Sequence, residues 1–362
     1  MIIVDGHQDL AWNIATFNRD YSRSVWETRE KEIGCDAPKY NGDTLLGYPE
    51  YQQGNIAIIF STLFAAPIRK KLGDWDTQCY VDAQHAKKLY RNQIDIYFRL
   101  IEKHPDKFQN ISSKNDLSSI LNDWEDSAKS LHPVGLVFLM EGADAIDPPQ
   151  ELPEWWQAGV RMIGPAWVGN HFCGGTDEPG PLTKEGYALL EAMAEFGFTL
   201  DISHMDERAA LQALDFFPGT IIASHANVNA LLPGNESNRY LSDRVIKGLI
   251  ERGGVIGVTP FNVFLKVGWK RGDARQEVSL IHIVNHIDYI CQMAGSVKHV
   301  GIGSDFDGGF GVQSTPFEID SIADVQKIIP ILSQKGYSES DIIHIMGGNW
   351  ISYLENNLPE EA

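Results

Sequence analysis

The chain has 362 residues, 43% hydrophobic and 22% charged, with a formal net charge of -19. This composition suits a globular enzyme with room for a large core. The acidic balance excludes a nucleic-acid binder, since nothing would neutralise phosphates in number, and no apolar run approaches the roughly 20 residues that span a bilayer.

In chain order, Met-Ile-Ile-Val runs straight into Asp-Gly-His-Gln-Asp, a first strand ending in two ligand-type residues, His7 and Asp9. A strand's two-residue period points both to one side. A polar segment of about 15–53, rich in Gly, Pro and Asn, reads as a long loop over the mouth of the fold. NIAIIFSTLFAAP reads as a second buried strand, followed by helices over about 78–104 and 114–130, the latter capped near Asn115.

From there the rhythm is regular. Strands are expected at 134–140, 160–164, 198–203, 220–224, 255–260 and 299–304, separated by amphipathic helices, with two helices closing the chain at about 321–335 and 339–357. Apolar strands alternating with helices imply parallel βαβ units. With no Gly-x-Gly-x-x-Gly after the first strand, the expectation is one (β/α)8 TIM barrel of the metallo-dependent hydrolase type, spanning 1–362, and not an open dinucleotide-binding sheet. Cys35, Cys79, Cys173 and Cys291 are scattered without a Cys-x-x-Cys and read as reduced thiols. Met1 leads almost at once into the first strand, so a cytoplasmic address is expected.

Strand ends of a parallel barrel share one face, where sites of this fold lie. His7, Asp9, Glu141, His204 and His225 all fall there. Taken singly, each reads more readily as a hydrogen-bonded structural residue. Together they define a metal site, and imidazole with carboxylate suits zinc, with manganese, cobalt or iron compatible by ligand type. Five ligands exceed what one open catalytic zinc takes and suit two ions sharing a carboxylate, with Glu141 the candidate bridge. The opening is His-Gln-Asp, without His-x-His, and the fourth strand ends GPAW without lysine, which disfavours a dihydroorotase-like or lactonase-like enzyme.

DGHQDL, MEGAD, GVR, DISH, SHANVNAL, NRYLSD, GSDFDGG and a late GGN occur in order over nearly the whole chain. In these motifs it resembles the membrane (renal) dipeptidase family of binuclear zinc metallopeptidases. The resemblance implies two Zn2+ ions on the same five residues with Glu141 bridging, hydrolysis of small dipeptides, often with a D-residue at the C-terminal position, and a homodimer. The expected mechanism is attack by a hydroxide bridging the metals, with Asp305 orienting the water and passing its proton to the leaving amine. Arg239, in NRYLSD, corresponds to the family's arginine for the substrate carboxylate, a task that suits a guanidinium fork. Asp5 and Asp201 are candidates to orient ligands, while Asp307 reads as structural.

One departure stands out. Aligning GVR places Trp167 where mammalian members carry a substrate-contacting histidine, and His171, four residues on, is the candidate substitute. Trp167 offers one N–H and an apolar face. Two rival readings remain: a related metal amidohydrolase acting on N-acyl amino acids or lactones, and a metal-retaining barrel without catalysis.

Overall fold

The computed structural model describes residues 1–361. Eight parallel strands form the barrel: β1 Ile3–Gln8, β2 Ile56–Phe64, β3 Val134–Glu141, β4 Val160–Gly164, β5 Thr199–Asp201, β6 Ile221–Ile222, β7 Ile256–Val258 and β8 Val300–Ile302. They pair in the order β6-β5-β4-β3-β2-β1-β8-β7. An isolated parallel bridge from Ala223 to Ile256 closes the ring, with the Ala223 and Gly257 amides donating to the carbonyls of Val255 and Ala223. A short ninth strand, Phe108–Asn110, pairs with β3.

Apolar runs of strand length with both faces covered are what a parallel sheet requires, and β3 is buried at every residue. Leu136, Phe138 and Met140 join the cluster beneath the outer helices, while Val137 and Leu139 pack with Phe60 and Trp350. Glu141 continues the Val137–Leu139 face. Trp350, on the helix Asn349–Asn357, donates its indole N–H to the Ile302 carbonyl at 2.9 Å.

β5 to β8 are shorter than the sequence implies, and after β5, β6 and β8 the chain leaves the ladder before it reaches His204, His225 and Asp305. The segment expected as a loop over about 15–53 is largely helical, with helices at Leu10–Phe17, Val25–Lys31, Ala37–Asn41 and Tyr48–Gly54. The Pro residues that suggested loop act as helix starters, lying in the first turn of the third and fourth helices, and Ser24 caps the second by accepting from the Glu27 amide. Ser113, not Asn115, caps Lys114–Glu125, in a capping box with Asp116. The helix expected from 78 begins at Ala83, since Cys79–Tyr80 pairs with Ala66–Pro67. The Gly-rich stretch after β4 folds into a hairpin, Cys173–Gly175 with Glu178–Leu182. All four cysteines are free, and no described helix is long and apolar enough to cross a membrane.

Candidate metal centre and active site

His7 lies near the end of β1, Glu141 is the last residue of β3, and His204, His225 and Asp305 each follow a strand by three residues. Asp9 opens the helix after β1, held by a hydrogen bond from the Thr62 hydroxyl at 2.7 Å. The fold thus gathers residues spread over most of the chain into one cluster.

The two oxygens of Glu141 face different partners. Oε1 lies 2.9 Å from His204 Nε2 and 3.5 Å from His225 Nε2. Oε2 lies 3.8 Å from His7 Nε2, which is itself 3.8 Å from Asp9 Oδ2. Two ligand triads therefore share Glu141, His7–Asp9–Glu141 and Glu141–His204–His225, while Asp305 forms a third group with His7 and His225.

Ser224 sets the imidazole tautomers. Its hydroxyl donates its one proton to Asp201 at 2.5 Å, so it can only accept from His7 Nδ1 at 3.2 Å and His225 Nδ1 at 2.9 Å. Both rings then turn unprotonated Nε2 atoms toward Glu141. His7 Nε2 is buried without a hydrogen-bond partner, and the Nε2 atoms of His204 and His225 stand 2.8 Å apart. Imidazole nitrogens converging in this way on a shared carboxylate are the arrangement a cation satisfies.

Electrostatics agree. Burial holds His204 and His225 well below the ordinary imidazole range, and burial followed by the charge of Arg239 lowers His7 to about 3. Burial raises Asp9 to about 7 and pushes Glu141 and Asp305 well up, with neighbouring carboxylates adding to the rise. Burial thus disfavours the charged form of every acid and imidazole here, and a cation bound among them would restore the carboxylates to their charged form.

Asp305 adopts a left-handed backbone, φ 58°, and its amide donates to the His7 carbonyl at 3.0 Å. Its carboxylate lies 3.9 Å from His7 Nε2. Gly308 is required beside it: a Cβ there would sit 2.1 Å from Asp305 Oδ1 and 2.7 Å from Asp9 Oδ2. Asp307 is buried away from the cluster, accepting from Arg19, Tyr21, Thr44 and the Leu45 amide. Asp5 accepts from Gln8 and Ser304, bracing β1 against the turn after β8.

A cavity of about 540 Å³ opens over the centre, lined by Asp9, Glu141, His204 and Asp305 at its floor. Trp12, Tyr40, Phe64, Trp75 and Trp167 wall it. The Trp167 ring stands edge-on to Phe64 at 5.0 Å and 6.4 Å from His204. His171 is not brought to this wall. The Asn170 side chain accepts from the amides of Phe172 and Cys173, a turn that sends Phe172 into the core and leaves His171 exposed. Arg239 does not line the cavity either. Its Nη atoms donate to the carbonyls of Ser203 at 2.7 Å and His225 at 2.9 Å, and its buried Nε has no partner.

Sequence reasoning missed Thr62, Thr176 (2.9 Å from His204 Nδ1) and Ser224, although each of His204 and His225 follows a serine. It also missed Trp12, Tyr40 and Trp75. Trp75 meets them through tertiary packing, 4.5 Å above Tyr40, which no local spacing announces.

A parallel (β/α)8 barrel with imidazoles and carboxylates at its strand ends defines a metal-dependent hydrolase. The profile of the membrane dipeptidase family (peptidase family M19) matches residues 1–357. The chain belongs to this family and so to the metallo-dipeptidases. Over 233 residues it is 32% identical to a Klebsiella pneumoniae protein called "Uncharacterized protein in pqqA 5'region", covering 62% of this chain and 82% of the relative. It is 24% identical over 361 residues to dipeptidase verJ of Clonostachys rogersoniana, covering 98% and 84% of the two chains. A solved metallopeptidase of Rhodobacter sphaeroides, liganded with a phosphinate mimic of L-Ala-D-Ala, shares the fold at TM-score 0.78 and 20% identity, over 99% of both chains.

Proposed function

We propose that the protein hydrolyses dipeptides with two zinc ions, His7, Asp9 and Glu141 holding one and Glu141, His204 and His225 the other. The observation that carries this reading is the division of Glu141, with Oε1 toward His204 and Oε2 toward His7. When bound, the ions supply Lewis acidity, which acidifies water and polarises the scissile carbonyl.

The chain's own residues do the rest. Asp305, fixed by its turn and by Gly308, orients the attacking water, accepts its proton and delivers it to the leaving amine. Its raised protonation range suits a group that holds a proton between those two events. Ser224 and Asp201 keep the histidines in the liganding tautomer. Arg239 clamps the carbonyls of Ser203 and His225, at the strand ends that carry two ligands. Trp167 and Phe64 present an apolar wall that limits water around the reacting bond.

The test is metal analysis of the purified protein joined to a substrate panel of L,L- and L,D-dipeptides, N-acyl amino acids and lactones. About two equivalents of zinc and chelator-sensitive dipeptide turnover are expected. Faster hydrolysis of acyl-amino acids or lactones, or no retained metal, would overturn the reading.

A further inference from the structure

The ligand residues take up only the floor of the cavity, whose volume of about 540 Å³ is that of a site for a drug-sized guest and exceeds what the smallest dipeptides fill. Above the floor the wall is largely apolar. Two excursions of the chain that carry no metal ligand supply much of it: Tyr40 comes from the roof segment, and Leu72 and Trp75 come from the loop between β2 and the helix Ala83–Lys103.

Both excursions are held in place. The Asn41 side chain, next to Tyr40, donates to Asn13 Oδ1 at 2.6 Å and to the Asp307 carbonyl at 3.0 Å, tying the helix Ala37–Asn41 to the barrel. Trp75 sits in a turn in which the Asp76 amide donates to the Gly73 carbonyl at 3.1 Å. The buried Asp76 carboxylate accepts from the Leu72 amide at 3.2 Å and fastens the same turn. Gly73 leaves room for the indole, since a Cβ there would stand 3.0 Å from Trp75 Nε1. Across the gap between the excursions the rings of Tyr40 and Trp75 stack at 4.5 Å and 12°, and Trp12 meets Trp75 edge-on at 6.3 Å. Leu72 extends this apolar surface to the rim, where it is 77% exposed.

Charge along the same wall is mixed, with Lys70 and Arg271 set against Asp76 and Asp177. A charged side chain entering here meets both signs, so apolar area decides what is favoured. We propose that Trp75, stacked on Tyr40, is the specificity-determining residue of a subsite for a large apolar side chain, aromatic above all, on one residue of the dipeptide. The proposal rests on the dipeptidase reading and deepens it: the preferred substrates carry a bulky apolar residue.

Steady-state kinetics on the series Xaa-Ala and Ala-Xaa, with alanine, leucine, phenylalanine, lysine or glutamate as Xaa, test it and assign the subsite to one residue of the substrate. Wild type should favour phenylalanine over alanine roughly tenfold or more in kcat/KM in one series, since an aromatic ring buries far more apolar area than a methyl group. W75A should cut that preference roughly tenfold, chiefly through KM, and W75F should keep part of it. Should W75A lose its thermal transition, L72S, at an exposed position, carries the same prediction in smaller measure. Equal kcat/KM for alanine and phenylalanine in both series, a preference for lysine or glutamate, or a phenylalanine preference that W75A leaves intact would each overturn the proposal. A wild type that cleaves no dipeptide would instead defeat the dipeptidase reading. Calorimetric titration of zinc-loaded wild type and W75A with N-acetylphenylalanine amide and N-acetylalanine amide then decides the subsite by itself. Tighter binding of the aromatic probe to wild type than to W75A supports it, and equal binding overturns it.

Discussion

Replacing Asp307 with alanine should unfasten the segment that roofs the barrel. Asp307 Oδ2 accepts from Arg19 Nη1 at 3.1 Å, the Tyr21 hydroxyl at 2.8 Å and the Thr44 hydroxyl at 2.6 Å, while Oδ1 accepts from the Leu45 amide at 2.9 Å. The carboxylate is fully buried. Each buried donor left unpaired costs about 1–3 kcal/mol, less where water can enter. Arg19 keeps its bidentate pair with Glu32, at 2.9 and 3.1 Å, so its charge is not stranded. The loss should therefore fall in the range of about 3–5 kcal/mol seen when a buried ion pair loses one member. Asp307→Asn, which keeps the shape and one acceptor oxygen, should lose less, and Thr44→Val, which removes one neutral donor, about 1 kcal/mol. Urea unfolding of the metal-loaded proteins gives the ranking from the midpoints at constant slope. A loss below about 1 kcal/mol in Asp307→Ala would refute the claim that this carboxylate fastens residues 19–45.

Two further outcomes test the centre itself. Ser224→Ala removes the acceptor that fixes both Nδ1–H groups, so zinc affinity measured by chelator competition should fall about 10–100-fold with the fold intact, and unchanged affinity would remove Ser224 from the site. Zinc affinity should also weaken as pH falls through about 7, the value to which burial raises Asp9. Below it the carboxyl is protonated and the ion must displace that proton, costing about tenfold per pH unit for one proton. Titration in buffers of differing ionisation heat reads the proton released, and no release at pH 6 would contradict the burial argument.

The barrel was legible because its signal is local. Val160–Gly164 matches its expected bounds, since an apolar run between turn residues has one outcome in a parallel sheet. The ligand cluster was legible for a related reason: strand direction alone sends every C-terminal end to one face. The segment of about 15–53 was misread because Pro serves turns and helix starts alike, as Asn and Gly serve loops and helix ends, and only packing decides between them. His171 does not reach the cavity because one step along a turn separates the core from solvent, as the buried Phe172 beside it demonstrates.

The position of the centre also bears on how the barrel holds together. β3 pairs with β2 along seven consecutive residues, whereas β6 meets β7 through the single bridge of Ala223 to Ile256. Ser224 and His225 follow immediately, and the His225 ring centroid lies 3.7 Å from that of His7 across the barrel, the two rings tilted by 38°. Backbone bonding is thus thin beside the residues that side-chain chemistry gathers most tightly. Ions bound as proposed would tie His225 to Glu141 on β3 and, through the shared carboxylate, to His7 on β1, bracing the seam from within. Metal binding free energy is folding free energy wherever the site exists only in the fold. The ligand cluster is therefore placed beside a thinly bonded seam that bound ions would brace.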